Sequence, residues 1–198
     1  MEVGDIILFG IYNWRVLDIL NNAALIITES IIEEHPYHEA YKEITWRECS
    51  LRQYLNVEFY DQFNTAERNR IISVINKNPD NQWYGSKGGQ DTNDKIFILS
   101  IEEAVCRYFG DSSSMLFNPG KKQKYWFQRK DPNNSKRAAL YKGGISWWWL
   151  RSPGRVNIKA AYVHGDGNIG IQGNNIKIGN VSETNYRGGV RPALWLKL

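Results

Sequence analysis

The sequence predicts an α+β fold, because strand-like segments occupy both ends of the chain and helix-like segments lie between them. Runs rich in β-branched and aromatic residues open the chain, and capping-box motifs mark helices in its middle. A glycine-punctuated alternation of apolar and polar residues fills the last third. No change of composition divides the chain, so we expect residues 1–198 to form a single domain.

The N-terminal strands are predicted from hydrophobic runs separated by turn residues. We expect strands at Ile6–Phe9, Tyr12–Ile19 and Ala24–Thr28. Asn21-Asn22 separates the last two by the two residues that a tight hairpin turn needs. The run from Val190 to Leu196 is also strand-like, and we expect it to pair with the N-terminal strands.

Three capping boxes predict the starts of three helices. In this motif a polar residue before the helix and a Glu three residues later each bond the other's backbone N–H. The pairs, with the helices expected after them, are Thr45 and Glu48 (to about Asn56), Asn64 and Glu67 (Thr65–Ile75), and Ser100 and Glu103 (through Phe109). A short strand, Lys95–Leu99, is expected before the third helix.

The second half of the chain combines irregular and strand-like segments. Residues 110–144 are rich in Gly, Pro, Asn, Ser and Lys, and we expect a long loop there. Residues 160–181 alternate small or apolar with polar side chains between glycines, which is typical of short antiparallel strands and tight turns. The intervening segment contains three consecutive tryptophans. In a strand, Trp147 and Trp149 would point to one face and Trp148 to the other.

Composition argues against several classes of function. The net charge is +4 and basic residues alternate with acidic ones, so we predict no nucleic-acid partner; the basic cluster at 121–137 is expected to be a solvated loop. No stretch is apolar enough to span a membrane. The first residues lack a secretory signal, so we expect a cytoplasmic location by default, or export by a non-classical route or on a phage particle. Cys49 and Cys106 are expected to be buried free thiols.

Five segments in a fixed order carry a resemblance: WRVLDI (14–19), CSLRQYLNVEFYDQF (49–63), TNDKIFILSIEEA (92–104), WWWLRSPG (147–154) and GGVRPALWL (188–196). Together they resemble a bacterial and phage-borne family of domains of unknown function. That family is similar in turn to the C-type-lectin-like superfamily, which includes the sulfatase-modifying-factor enzymes and the variable proteins of diversity-generating retroelements.

The resemblance implies a C-type-lectin-like fold: a small twisted antiparallel sheet with flanking helices and long loops that carry the binding surface. The tryptophan-rich segment and the closing strand would then belong to the scaffold, hydrogen-bonded within a single sheet. Arg151 and Arg191 fall in the matched motifs. Each of them could contact a ligand, but we favour a structural role in which the guanidinium bonds backbone carbonyls or pairs with a carboxylate.

The chemistry associated with the resemblance is absent from this sequence. The sulfatase-modifying enzymes use paired cysteines in their C-terminal part, and no cysteine follows Cys106. The Glu-Pro-Asn, Gln-Pro-Asp and Trp-Asn-Asp motifs of calcium-dependent lectins do not occur. His35 and His38 are three residues apart with Pro36 between them, which is not the spacing of a zinc-binding helix. We therefore predict no cofactor, no metal ligand and no catalytic residue.

What remains is a surface of short polar and aromatic side chains that alternate with small or apolar ones after the tryptophans. Such side chains suit adaptable binding faces. The predicted ligand-binding residues are Arg155, Asn157, Lys159, Tyr162, His164, Asp166, Asn168, Gln172, Asn174, Asn175 and Lys177.

The sequence thus predicts a non-enzymatic recognition module that binds a protein or glycan through residues 155–186, with the 111–137 loop alongside. The resemblance adds the hypothesis of a retroelement variable protein, whose C-terminal region is diversified and often rich in asparagine. Two alternatives stay open: an enzyme with a cleft site that uses a bound metal or His35, His38 or His164 as base, and a structural component of a phage or secreted particle.

Overall fold

The computed structural model describes residues 1–117, 131–177 and 188–198. Over these residues the protein has a mixed α+β fold with several antiparallel sheets and few, short helices, as the coarse fold class predicted. The strands are β1 (Ile6–Phe9), β2 (Tyr12–Leu20), β3 (Ala23–Thr28), β4 (Glu33–His35), β5 (Ile71–Ile72), β6 (Val74–Asn76), β7 (Thr92–Asp94), β8 (Ala139–Tyr141), β9 (Gly144–Ser146), β10 (Trp148–Pro153), β11 (Lys159–Val163), β12 (Ile169–Asn175), β13 (Gly188–Val190) and β14 (Ala193–Lys197). The α-helices are α1 (Ser50–Tyr54), α2 (Thr65–Arg68), α3 (Ser113–Phe117) and α4 (Asn134–Arg137); 3-10 or π-helical turns lie at Trp46–Glu48, Leu55–Phe59, Tyr60–Gln62 and Glu103–Arg107.

The N-terminal strands and the closing strand form one five-stranded antiparallel sheet in the order β1-β2-β3-β14-β5. Asn21 and Asn22 join β2 to β3 with φ angles of 51° and 60°, which a tight turn of the hairpin type requires. In β14, Trp195 lies opposite Leu25 of β3. The predicted hairpin and the predicted pairing of the closing strand with the N-terminal strands are both confirmed.

The tryptophan-rich segment lies in the middle of a second sheet, ordered β12-β11-β10-β13-β4. β10 and β13 run parallel, with Trp148 opposite Gly189. The closing segment, predicted as one strand in the same sheet as β10, is divided into β13, which does pair with β10, and β14, which does not. The chain crosses from the second sheet to the first between Val190 and Ala193. Pro192 lies at this crossing and has no N–H to donate to a ladder, so the pairing cannot continue through it.

The predicted helix Thr65–Ile75 is wrong beyond Arg68. Its capping box is present, with Asn64 and Glu67 each bonding the other's backbone N–H at 2.8 and 3.0 Å. After one turn, however, Ile71–Ile72 forms β5 and pairs with β14. Branched isoleucine side chains pack well on a pleated sheet, and this pairing outweighs their helical spacing.

The other two capping boxes differ from each other. Ser100 and Glu103 bond each other's backbone N–H as predicted, at 2.9 and 3.2 Å. Thr45 instead bonds the Glu48 carboxylate through its hydroxyl, and a 3-10 turn precedes α1. The strand expected at Lys95–Leu99 is reduced to a single bridge to β14, and the paired strand nearby is β7.

The three tryptophans cover both faces of the second sheet, as predicted. Trp147 and Trp149 lie together, with ring centroids 4.7 Å apart, and Trp147 also contacts Tyr162 at 5.3 Å. Trp148 packs against Phe109, with centroids 6.3 Å apart. Trp148 and Trp149 are completely buried, and the buried apolar residues of both sheets form one core.

Arg151 of β10 connects the second sheet to the segments packed beside it. Its guanidinium donates to the carbonyls of Ile98 (2.9 Å) and Lys77 (3.3 Å) and pairs with the Glu103 carboxylate at the start of the third helical segment. The side chain is 2% exposed. The predicted structural role of this arginine is confirmed.

Arg191 connects the two sheets at the crossing. It donates to the carbonyls of Thr28 (2.8 Å) and Glu29 (3.2 Å), and its guanidinium lies over the rings of Trp148 and Phe109 at 5.2 and 5.5 Å. No carboxylate pairs with this buried cation among the described residues. Burial lowers the pKa of Arg191 to about 10. Its structural role is confirmed as well.

The indoles next to Gly188 leave no room for a side chain there. A Cβ at this position would overlap the ring of Trp149 and crowd that of Trp147. We expect Gly188→Ala to lower the free energy of unfolding by about 1–3 kcal/mol, because extra volume in a packed core forces neighbouring side chains out of place. Chemical denaturation measures this. The matched control is Gly144→Ala, where a Cβ would meet only the Tyr141 carbonyl at 3.8 Å. We expect this variant to change the free energy of unfolding by less than about 0.5 kcal/mol. Equal losses in both variants would contradict the packing described here.

The Glu103 carboxyl makes the stability of the fold depend on pH. Burial alone would raise its pKa, but the charge of Arg151 and hydrogen bonds from Arg151 and Ser100 outweigh burial and leave the pKa below its ordinary value. The carboxylate therefore stabilises the fold above its unfolded pKa of about 4.3, and this contribution is lost as the pH falls through the lower folded pKa.

We expect Glu103→Gln to destabilise the protein at pH 7 by about 3 kcal/mol, because Arg151 then lacks its buried counter-charge. The difference from wild type should shrink as the pH falls below about 4.3, because the Glu103 carboxyl of the unfolded wild-type chain is protonated there before that of the folded protein. Urea denaturation at a series of pH values gives both quantities. The neighbouring exposed pair is the control: Glu102→Gln should cost less than about 1 kcal/mol at every pH.

Candidate functional site

The predicted binding face is only partly exposed. The prediction that Tyr162 and Asn168 contact a ligand at the surface is wrong, since Tyr162 is 6% exposed and Asn168 is 1% exposed. The remaining predicted residues are exposed (Arg155, Asp166 and Lys177) or half-buried (Asn157, Lys159, His164, Gln172, Asn174 and Asn175). Residues 178–187 and 118–130 of the proposed surface lie outside the described residues.

The alternation rule fails here because both faces of β11 and β12 are covered. The ring of Trp147 lies against Tyr162, and the bare backbone of Gly170 lies against the same tyrosine ring. Asn81 of another segment donates to the Ile171 carbonyl at 3.0 Å. Alternating polarity predicts an outward face only when one side of a sheet meets solvent.

His164, Asp166 and Asn168 form a turn between β11 and β12. The His164 ring lies 2.9 Å from the Asp166 carboxylate, which also accepts the backbone N–H of Asn168 at 3.0 Å. Burial opposes ionisation of Asp166, but hydrogen bonds from Asn168 and His164 prevail and lower its pKa. The expectation that this segment forms a turn is confirmed.

The histidines do not converge on one site. His38 accepts the backbone N–H of Ser50 through Nδ1 at 3.2 Å, so its proton lies on Nε2, and burial lowers its pKa. His35 is stacked on Tyr54 at 4.9 Å, with Nδ1 2.8 Å from the Pro36 carbonyl. Among the described residues, no group of three or more His, Cys, Asp or Glu side chains is placed to hold a metal ion.

The cysteines are free thiols, as predicted. Cys49 is buried, which raises its pKa to about 12, and Cys106 is half-buried, with a pKa raised to about 11 by burial. Both groups are therefore protonated at neutral pH. The helices of the described chain are too short and too polar to cross a membrane.

Among the described residues lies a cleft of about 180 Å³, here called the Trp83 cleft. It lies where the segment between β6 and β7 meets the start of the third helical segment and the end of β10. The residues that line it are Pro79, Asp80, Asn81, Gln82, Trp83, Ile101, Glu102 and Ser152.

Asn81 holds the wall of the cleft in place. Its side-chain amide donates to the carbonyls of Pro153 (2.9 Å) and Ile171 (3.0 Å) in the second sheet. Its amide oxygen accepts the backbone N–H groups of Trp83 (3.0 Å) and Tyr84 (3.3 Å). Asn81 is 3% exposed, so a buried amide bonded on both sides fixes the loop to the sheet.

The floor and rim are fixed in similar ways. Ser152 accepts the backbone N–H of Ile101 at 3.0 Å, which joins the end of β10 to the helical segment. On the rim, Asp80 pairs with Lys87 at 2.7 Å and Glu102 pairs with Arg107 at 2.8 Å. The hydrogen bonds from Lys87 and from the Gly88 backbone lower the pKa of Asp80.

The indole N–H of Trp83 lacks the hydrogen bond that the fully buried tryptophans make, as do those of the other half-buried tryptophans of the described chain, Trp147 and Trp195. Trp14, Trp46, Trp148 and Trp149 all donate their indole N–H to a protein oxygen. The Nε1–H of Trp83 has no such partner among the described residues, although the ring is partly buried and lines the cleft. A ligand in the cleft could therefore accept this hydrogen bond.

Sequence reasoning missed this cleft. One predicted residue adjoins its loop: the Asn157 amide donates to the Lys87 carbonyl at 2.7 Å and accepts the Lys87 backbone N–H at 3.3 Å. The available signal was a tryptophan in the polar, glycine-rich stretch 81–94. Ile101, Glu102 and Ser152 carried no such signal, because only folding brings them to the loop.

The described structure is thus that of an α+β protein with two principal sheets, a shared core and a small, rigidly built cleft. The chain belongs to the family described as Domain of unknown function (DUF6273), whose model matches residues 21–198. No curated protein and no solved structure matches the chain.

The burial of Tyr162, which removes it from the predicted binding face, can be tested by mutation. We expect Tyr162→Ala to lower the free energy of unfolding by about 3 kcal/mol, because it leaves a cavity beneath Trp147. Thermal and urea denaturation measure the loss. Tyr41→Ala, which removes a tyrosine that is 59% exposed, should change stability by less than about 0.5 kcal/mol. Similar small changes in both variants would show that Tyr162 is an exposed side chain and would contradict the burial described here.

Proposed function

We propose that this chain is a non-enzymatic recognition module that binds a protein or glycan partner, and that the Trp83 cleft is its main contact. The observation that carries the proposal is a partly buried indole with a free N–H, set in a concave site with polar groups around an apolar lining. Binding sites typically combine an apolar cleft with a few well-placed polar groups.

The rigidity of the cleft supports the same proposal. Asn81 and Ser152 bond the loop and the floor to the second sheet, as described above, and Arg151 in the same strand is anchored by Glu103. A preformed site loses less conformational entropy when a ligand binds.

Recognition is favoured over catalysis because the chain's histidines lie elsewhere. His35, His38 and His164 are not among the residues that line the cleft. Two of them have a ring nitrogen engaged by the backbone, and the third is paired with Asp166 in a turn. The carboxylates of the cleft each have a basic partner on the surface.

A C-type-lectin-like architecture is the finer fold that we propose, on the motif resemblance and the antiparallel sheets. We also propose a smaller role for the predicted C-terminal face, limited to its exposed and half-buried residues. Diversification of the C-terminal region remains a prediction; a neighbouring reverse-transcriptase gene with a near-identical template repeat would support it, and the absence of both would contradict it.

The test compares Trp83→Ala with wild type on arrays of glycans and peptides. We expect the wild-type chain to bind members of one array and Trp83→Ala to lose at least about tenfold in affinity, as for tryptophans at the centre of binding sites. Tyr41→Ala, which removes an exposed aromatic side chain outside both the cleft and the C-terminal face, is the matched control and should bind like wild type. His164→Ala, a change in the turn between β11 and β12, tests the C-terminal face. Loss of binding in His164→Ala with normal binding by Trp83→Ala would move the contact surface to that turn.

A further inference from the structure

We infer that the Trp83 cleft receives a single ring of a neutral sugar, packed against the indole. This inference rests on the proposed function and narrows its partner from a protein or glycan to an uncharged glycan. It is drawn from the volume, the lining and the charge balance of the cleft.

The volume sets the size of the group that enters. A cavity of about 150 Å³ holds one benzene molecule, whereas sites for drug-sized ligands occupy about 300–1,000 Å³. The Trp83 cleft, at about 180 Å³, therefore has room for one six-membered ring. A longer chain would extend from this ring into solvent.

The lining suits a ring with one apolar face and a polar edge. Trp83, Ile101 and Pro79 supply apolar surface, and the negative face of an indole attracts the C–H groups of a sugar ring. The hydroxyl groups at the edge of such a ring both donate and accept hydrogen bonds. The free Nε1–H of Trp83 supplies a donor, and the exposed amide of Gln82 supplies both a donor and an acceptor.

The polar rim argues against an apolar peptide side chain. Such a side chain would satisfy the apolar lining but would leave the indole N–H of Trp83 without a partner and covered from water. An unpaired buried donor lowers affinity. A sugar hydroxyl removes this cost by accepting the hydrogen bond.

The charge balance argues for a neutral ligand. The two carboxylates of the rim, Asp80 and Glu102, are matched by Lys87 and Arg107 at 2.7 and 2.8 Å. An amino sugar or a lysine side chain would have to compete with these two cations. An acidic sugar would be repelled by the two carboxylates.

The experiment uses the full chain and a glycan array with neutral, amino and acidic oligosaccharides, beside a peptide array. The best glycan on the array is then titrated by calorimetry against wild type, Trp83→Ala, Trp83→Phe and the control Tyr41→Ala, which changes an exposed residue outside the cleft. We expect a neutral glycan to bind best. Trp83→Ala should bind it at least about tenfold more weakly, while Trp83→Phe, which keeps an aromatic face but loses the N–H, should fall between them. Tyr41→Ala should match wild type.

Three outcomes would overturn the inference. Preferred binding of charged glycans would refute the charge argument. Trp83-dependent binding on the peptide array alone would refute the sugar ring but leave the recognition module in place. Absence of Trp83-dependent binding on both arrays would refute the inference and the proposed contact site together. Equal melting temperatures of Trp83→Ala and wild type would ensure that weaker binding reflects the cleft and not a loss of the fold.

Discussion

The central constraint of the structure is the buried guanidinium of Arg151. It lies at the junction of the second sheet, the helical segment that begins with Ser100 and the segment that follows β6, and it donates to a carbonyl or carboxylate in each neighbour. Its pairing with Glu103 meets the cost of burying a charge, which an unpaired arginine would not recover. Because Ser152 is the next residue in β10 and forms the floor of the Trp83 cleft, the same constraint that orders the core also positions the candidate site.

The tryptophan triplet explains how a central strand can be buried on both faces. Trp147 and Trp149 occupy one face and Trp148 the other, and Gly188 removes the side chain that would collide with two of these rings. Burial on both faces also explains why the glycine-rich strands β11 and β12 do not present a wide polar surface. The recognition proposal consequently moves from that face to a cleft built by a loop, a helix start and a strand end.

The Trp83 cleft combines a loop that is bonded to the second sheet with an indole N–H that has no protein partner among the described residues. The indole of Trp83 is partly buried but keeps its donor free, while the residue two positions before it, Asn81, is fully engaged with the sheet. Fixed backbone and free side-chain donors are what a recognition site needs, because the site is ordered before the ligand arrives. In the proposed complex, the paired charges on the rim favour a neutral ligand.

The sequence by itself determined the α+β class, the hairpin at Asn21-Asn22, two of the three capping boxes and the scaffold roles of Arg151 and Arg191. These follow from local spacing, turn chemistry and the rule that a buried guanidinium needs several acceptors. Only the tertiary structure decided that Ile71–Ile72 is a strand, that β10 and β14 lie in different sheets, that Tyr162 and Asn168 are buried and that Trp83 meets Ser152. The physical reason is that strand pairing and the covering of a sheet's second face depend on residues far apart in the chain, which no local pattern of polarity records.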